Sequence, residues 1–251
     1  MNLSNIFIDS THFAIDKSNI SCADYSCTKK TKLACASLLK PLYMWSVSHL
    51  ETFDYPQQDW SQMVQQAVTL SSNNVTTEIW NKYGASTVLT QLENMTAINF
   101  FKTGITSWGN VQINADMVAR GYGAMLIATT ADQEAAKIAE LMKKVPQYQT
   151  FGLINLASKH CGVPVGDIGI KCGWYIDELT NRLRTHAVVT VKLRDDRYKG
   201  FVILTSIRIS PELTESYLKT YREGTEVLPI HEELSGSILR DELTRLLLLT
   251  Y

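Results

Sequence analysis

Nowhere does this sequence approach the ~20 consecutive apolar residues that a membrane-spanning helix needs; the nearest approach is Leu246-Leu247-Leu248-Leu249 at the end of the chain. The opening residues also lack a basic start followed by an apolar run, because Asp9, His12 and Asp16 interrupt every apolar patch. Neither a secretory leader nor a membrane span is expected, and the reading places the chain in the cytoplasm. The cysteines are an odd set of five (Cys22, Cys27, Cys35, Cys161 and Cys172), so reduced thiols are expected and not a disulfide framework. No pair of them has the two-residue spacing of a zinc knuckle, and no metal or other cofactor is expected; the alternative is a zinc site built from Cys22, Cys27 and Cys35 with His12 or His49.

Phosphate loops are missing too. There is no Gly-Lys-Ser/Thr of the Walker type, and Gly121-Tyr122-Gly123 lacks a third glycine and a preceding strand. Nothing reads as a zincin helix, a nucleophile elbow or a kinase signature. His160-Cys161 is no thiol couple by itself, since neighbours on a helix point about 100° apart. No residue stands out as catalytic.

What is there is an ordinary globular mixture, 45% hydrophobic and 20% charged, which is enough apolar material to fold. Helical spacing dominates the first two thirds. Leu33, Ala36, Leu39, Leu42 and Trp45 share one stripe, with Pro41 starting or kinking its second half. Helices follow through Trp60 and Leu70, through Val75 and Trp80 to a stop at Gly84, and through Val88 to Gly104. Gly121, Ala124 and Ala128 form a small-residue stripe that admits a close neighbour. Thr130 to Gln133 reads as a capping box, and Pro146 as a stop, for a helix over about 131–144.

The texture changes after the Gly/Pro-rich stretch 162–169. Trp174, Ile176, Leu179 and Leu183 continue a helical spacing, then two β-branched runs, 186–193 and 201–209, flank a charged turn and predict a β-hairpin. Ser210-Pro211-Glu212 opens another helix, and a last helix runs from about Ser235. The fold class expected is therefore mainly α: a helical bundle of two lobes with a β-hairpin (about 186–209) in its C-terminal part. The expected division is an N-terminal arm (1–30), a helical lobe (31–161) and an α+β lobe (170–251).

Net charge is −1, but its distribution is uneven: 171–208 holds eight Lys/Arg against four Asp/Glu, and 209–251 the reverse, four against eight. Arg182, Arg184, Lys192, Arg194, Arg197 and Lys199, with Tyr198 interleaved, suit phosphate contact and base stacking on single-stranded nucleic acid. Lys29, Lys30, Lys32 and Lys40 form a second basic patch, and Arg120 can contribute from the middle of the chain. The apolar termini suggest self-assembly, through Ile6 and Phe7 in the arm and Leu243, Leu246, Leu247 and Leu249 on a last helix that is apolar around most of its circumference.

In general plan, with two helical lobes, apolar arms at both ends and a basic region between lobes, the chain is similar to the nucleoproteins of segmented negative-strand RNA viruses. That similarity implies a viral, non-enzymatic structural protein that forms homo-oligomers and binds single-stranded RNA. Two alternatives stand beside it: a matrix or scaffold protein facing protein partners or an anionic membrane surface, and an enzyme whose active site is assembled from dispersed residues.

Overall fold

The computed structural model describes residues 6–16, 19–24, 32–100, 104–194, 197–222 and 228–250. Its strands are β1 (Ile6–Asp16), β2 (Asn19–Asp24), β3 (Leu33–Ala34), β4 (Gln112–Ile113), β5 (Ile168–Asp177), β6 (Arg182–Lys192) and β7 (Tyr198–Arg208). Its helices are α1 (Lys40–Val47), α2 (Gln57–Thr69), α3 (Asn73–Tyr83), α4 (Ala85–Thr96), α5 (Ala115–Ala128), α6 (Gln133–Met142), α7 (Leu153–Cys161), α8 (Pro211–Arg222), α9 (Leu228–His231) and α10 (Ser237–Leu248).

Among the described residues, five strands form one antiparallel sheet in the order β2-β1-β7-β6-β5, while β3 and β4 pair separately. The sheet is buried on both faces. Val188, Val202 and Leu204 point, with Phe13 of β1, into a core shared with α1 to α6. Their neighbours Ala187, Val189, Phe201 and Ile203 point the other way, into a core closed by α7 and α10. A third, smaller cluster packs Ile176, Leu183 and Ile207 under Tyr217 of α8.

This α/β architecture overturns the mainly helical two-lobe bundle. The segment read as a hairpin is the middle of a sheet, because β7 pairs with β1 from the start of the chain as well as with β6. The segment 174–183, given a helical spacing, is the end of β5, the turn after it and the start of β6. A strand covered on both faces shows no alternation of apolar and polar residues, so over ten residues its pattern does not separate it from a buried helix.

Several helix ends follow local chemistry. Asp132 caps α6 by accepting from the amides of Glu134 and Ala135, and Ser72 caps α3 by accepting from Val75. The small-residue stripe of α5 admits α1, since a Cβ on Gly121 would lie 2.8 Å from Leu42 Cδ1.

The apolar last helix is satisfied within its own chain. Leu239, Leu243, Leu246 and Leu247 are fully buried on the sheet, whereas Leu248 and Leu249 are exposed. Leu246→Ala therefore costs about 2–5 kcal/mol of stability in urea unfolding. A change within the roughly ±0.5 kcal/mol typical of a surface site would show that α10 does not close this core.

Candidate active site

Three segments far apart in sequence meet in front of β5. The first is the turn that leads into α1, running through Ser37 to Lys40. Ala36 holds a left-handed conformation at φ 49°, and its amide is bonded to the carbonyl of Gly109 at 3.0 Å. Tyr122 Oη donates to the carbonyl of Leu38 at 2.6 Å and fixes the turn from behind. Behind it too lies His186, whose Nδ1 accepts from the Thr205 amide at 3.2 Å, so its Nε2–H donates to the carbonyl of Ala34 at 3.0 Å. Burial holds that imidazole neutral, lowering its pKa to about 4, and the ring serves as a pin between sheet and turn.

The second segment is the α2–α3 junction, where Ser71 takes φ 57°. Left-handed non-glycine residues cost free energy and tend to cluster at functional sites. Lys40 Nζ donates to the Ser71 carbonyl at 2.5 Å and to Asn73 Oδ1 at 2.7 Å, and lies 4.3 Å from the centroid of the Trp108 ring. Ser71 Oγ is buried without a hydrogen-bond partner, as is Gln149 Oε1. Orphaned buried polar atoms are rare in folded proteins.

The third segment is β5 itself. Lys171 is fully buried and donates to the carbonyl of Val68 at 3.4 Å. Two residues on, Gly173 presses against the first segment. A Cβ there would come within 2.7 Å of the Ser37 amide nitrogen and 2.8 Å of that of Leu38. Only a residue without a side chain lets edge strand β5 approach the turn this closely.

The electrostatics follow from the burial. Lys40 is removed from water and stands near the charge of Lys171, and its pKa falls to about 6. Lys171 falls to about 7, chiefly by desolvation. A neutral amine has two N–H donors and one lone pair, and both donors of Lys40 are already engaged by Ser71 and Asn73. The lone pair is free to take a proton, and Ser37 lies three residues earlier, in the turn that leads into α1. Ser37 is half-buried and lines a cavity of about 580 Å³, together with Ser71, Asn73, Trp108, Gln149, Trp174 and Glu178 among others. Neither nearby thiol competes as a nucleophile, because burial pushes Cys35 and Cys172 up to about 12.

The residues expected to bind nucleic acid are elsewhere and fall mainly in two separate groups, Lys32, Arg182 and Arg184 at one end of β6 and Lys192, Arg194, Arg197, Tyr198 and Lys199 at the other. Arg182 and Arg184 begin β6 and Lys192 ends it, about 33 Å away along an extended strand. Arg184 is paired with Asp177 at 2.8 Å, and Arg182 donates to Ser206 Oγ at 3.3 Å. At the other end Lys199 donates to the carbonyl of Thr250 at 3.2 Å, beside half-buried Tyr198 and exposed Arg194 and Arg197. Arg120 is paired with Asp116 at 2.9 Å, and Lys32 is exposed. Lys29 and Lys30 lie outside the described residues. Lys40 is not part of a surface patch at all, being fully buried. Ile6 and Phe7 are half-buried in β1, inside the sheet.

No protein-family model and no curated protein matches the sequence. Solved structures do match the fold. A class A β-lactamase from Bacteroides cellulosilyticus DSM 14838 superposes with a TM-score of 0.55 at 10% identity, covering 95% of this chain and 94% of its own. The TLA-3 extended-spectrum β-lactamase gives 0.54 at 12% identity over 90% and 93%, and a halotolerant bacterial β-lactamase 0.53 at 14% over 83% and 88%. The fold is that of the class A β-lactamases.

That likeness overturns the viral, non-enzymatic RNA-binding nucleoprotein reading, because the fold matched along nearly the whole chain is that of β-lactamases. The sequence reading missed Ser37, Ser71, Asn73, Lys171 and Gly173, and misplaced Lys40. The available signal was a serine three residues before a lysine at a helix start, then a serine two before an asparagine, then a lysine two before a glycine. Each pair is common by chance, and only their order along the chain carries information.

Proposed function

We propose that this protein is an acyl-transfer enzyme, with Ser37 as nucleophile and Lys40 as its general base. Class A β-lactamases and penicillin-binding proteins do their chemistry with Ser-x-x-Lys, Ser-Asp-Asn and Lys-Thr-Gly. This chain carries Ser37-Leu38-Leu39-Lys40, Ser71-Ser72-Asn73 and Lys171-Cys172-Gly173, in that order. The first two meet at one cavity, Gly173 of the third packs on the turn that carries Ser37, and a lysine held largely neutral stands three residues from Ser37; this arrangement supports the reading best. Ser72 and Cys172 depart from the pattern at its middle positions. Cys172 is buried in the sheet core and Ser72 caps α3, so both have structural work of their own.

In this reading the Ser37 hydroxyl proton passes to Lys40 Nζ as Oγ attacks the carbonyl carbon of an ester or amide. The Ser37 amide, which donates to no carbonyl among the described residues, is placed with the β5 edge to receive the developing oxyanion. Ser71 Oγ, otherwise unpartnered, can relay a proton to the leaving group. Class A enzymes use a glutamate for deacylation. Glu178 is the carboxylate among the described lining residues, and it lies five residues beyond Gly173, in the turn that follows β5.

An uncharged alkyl fluorophosphonate tests the nucleophile. Intact-mass analysis shows one adduct per chain, located at Ser37, and none in Ser37→Ala. Labelling that persists in Ser37→Ala, or no labelling of the unsubstituted protein, overturns the assignment.

A further inference from the structure

We infer that the acyl donor of this site carries a cation, held by Glu178 and Tyr221 of α8; the inference rests on the acyl-serine reading above. The cavity wall beyond Ser37 is aromatic. Trp174 and Tyr175 come from the edge strand, and Tyr217 and Tyr221 come from α8, one turn apart on one face. At its far end stands Glu178, and among the described residues lining this cavity it is the one formally charged side chain. Aromatic faces with a carboxylate are the surroundings in which ammonium groups are bound, through ring quadrupoles and a counter-charge.

The wall is built to hold its shape. Tyr217 Oη bonds to His231 Nε2 at 3.3 Å, and His231 Nδ1 bonds to Thr185 Oγ1 at 2.8 Å within the sheet. Tyr221, by contrast, is 60% exposed, a large aromatic surface left open at the cavity mouth.

The cations beneath the cavity floor and on β6 are otherwise engaged. Lys40 and Lys171 lie beneath the floor, their amines bonded to Ser71, Asn73 and Val68. Arg184 is held by Asp177 and sits 5.6 Å over Tyr175, in a hollow shared with Lys32 and Arg182. Lys219 and Arg222 line an adjoining open hollow, where Glu212 and Glu215 join Glu178. An anionic donor would therefore meet Glu178 with no guanidinium or ammonium lining its own cavity among the described residues. A cationic donor long enough to reach from Ser37 to Glu178, in the turn after β5, meets rings and a carboxylate.

The test uses p-nitrophenyl esters of equal chain length ending in trimethylammonium, hydroxyl or carboxylate, on the full chain. The trimethylammonium ester gives a kcat/KM at least about tenfold above the hydroxyl ester, within the range of a partly desolvated cation–π contact. The carboxylate ester falls below both. Glu178→Lys inverts the order, and Tyr221→Ala shrinks the cation-to-neutral ratio; because ratios are read within each variant, partial misfolding cannot imitate either result. Equal rates for the three esters, or an order unchanged by Glu178→Lys, overturn the cation site. Calorimetry of trimethylammonium and hydroxyl chain amides on Ser37→Ala separates the two ideas. Preferential binding of the cation there, with no fluorophosphonate adduct in the unsubstituted protein, sinks the acyl reading and keeps the site. Equal binding of both amides sinks the site even if Ser37 reacts.

Discussion

Replacing Lys40 by methionine lowers the rate of Ser37 acylation by roughly 10²- to 10⁴-fold, the range that general-base catalysis supplies. The same change raises stability. Lys40 holds an amine in a fully buried position, next to a second buried amine, and a methionine of similar length removes that cost while keeping the packing. A gain of about 0.5–2 kcal/mol is expected, the usual size when a functional site is relieved. At about 2–4 °C per kcal/mol for a chain of this size, calorimetry resolves it. Loss of activity together with loss of stability would mean that Lys40 is a structural tie across the α1–α3 junction and not a base.

The pH dependence has the same origin. Lys40 acts when unprotonated, so acylation by a neutral ester climbs as pH rises through about 6 and then levels. Stability moves in the same direction. The folded pKa values of Lys40 and Lys171, about 6 and about 7, lie below the 10.5 of a free lysine, so between them the unfolded chain binds more protons than the folded one. Stability accordingly increases with pH across that window and is lost as pH falls toward 6. In Lys40→Met that slope is reduced, and urea midpoints at several pH values measure the difference.

Adding one methyl group at Gly173 is the second large effect. The new Cβ would meet backbone nitrogens of Ser37 and Leu38 at 2.7 and 2.8 Å, with no flexible side-chain end to give way. The edge strand and the α1 turn must separate, and a misplacement near 1 Å at a reacting group costs about 10²-fold in rate. Overpacking costs roughly 1–3 kcal/mol in addition. Gly173→Ala thus keeps its fold by circular dichroism and loses fluorophosphonate labelling of Ser37 about 100-fold. Unchanged labelling would show that β5 does not set the position of the nucleophile.

Much of the secondary structure was legible because its causes are local. Gly84 closes α3, Pro211 opens α8, α6 falls within the helix expected over about 131–144 although its cap is Asp132 and not Thr130, and the β-branched runs near 186–193 and 201–209 are strands. The fold class was not legible, because it depends on which strands pair. Nothing local in Ile6–Asp16 says that it enters the sheet beside β7, and the apolar spacing of 174–183 suits a strand covered on both sides as well as a helix.

The site was less legible still. By itself the sequence determined a folding-competent chain, its helix ends and the order Ser37, Lys40, Ser71, Asn73, Lys171, Gly173. The tertiary structure alone decided that Lys40 and Lys171 are buried near one another while Arg182 and Lys192 stand at opposite ends of a strand. A lysine in sequence reads as a solvated charge, and only burial, which contacts distant in the chain create, converts it into a base.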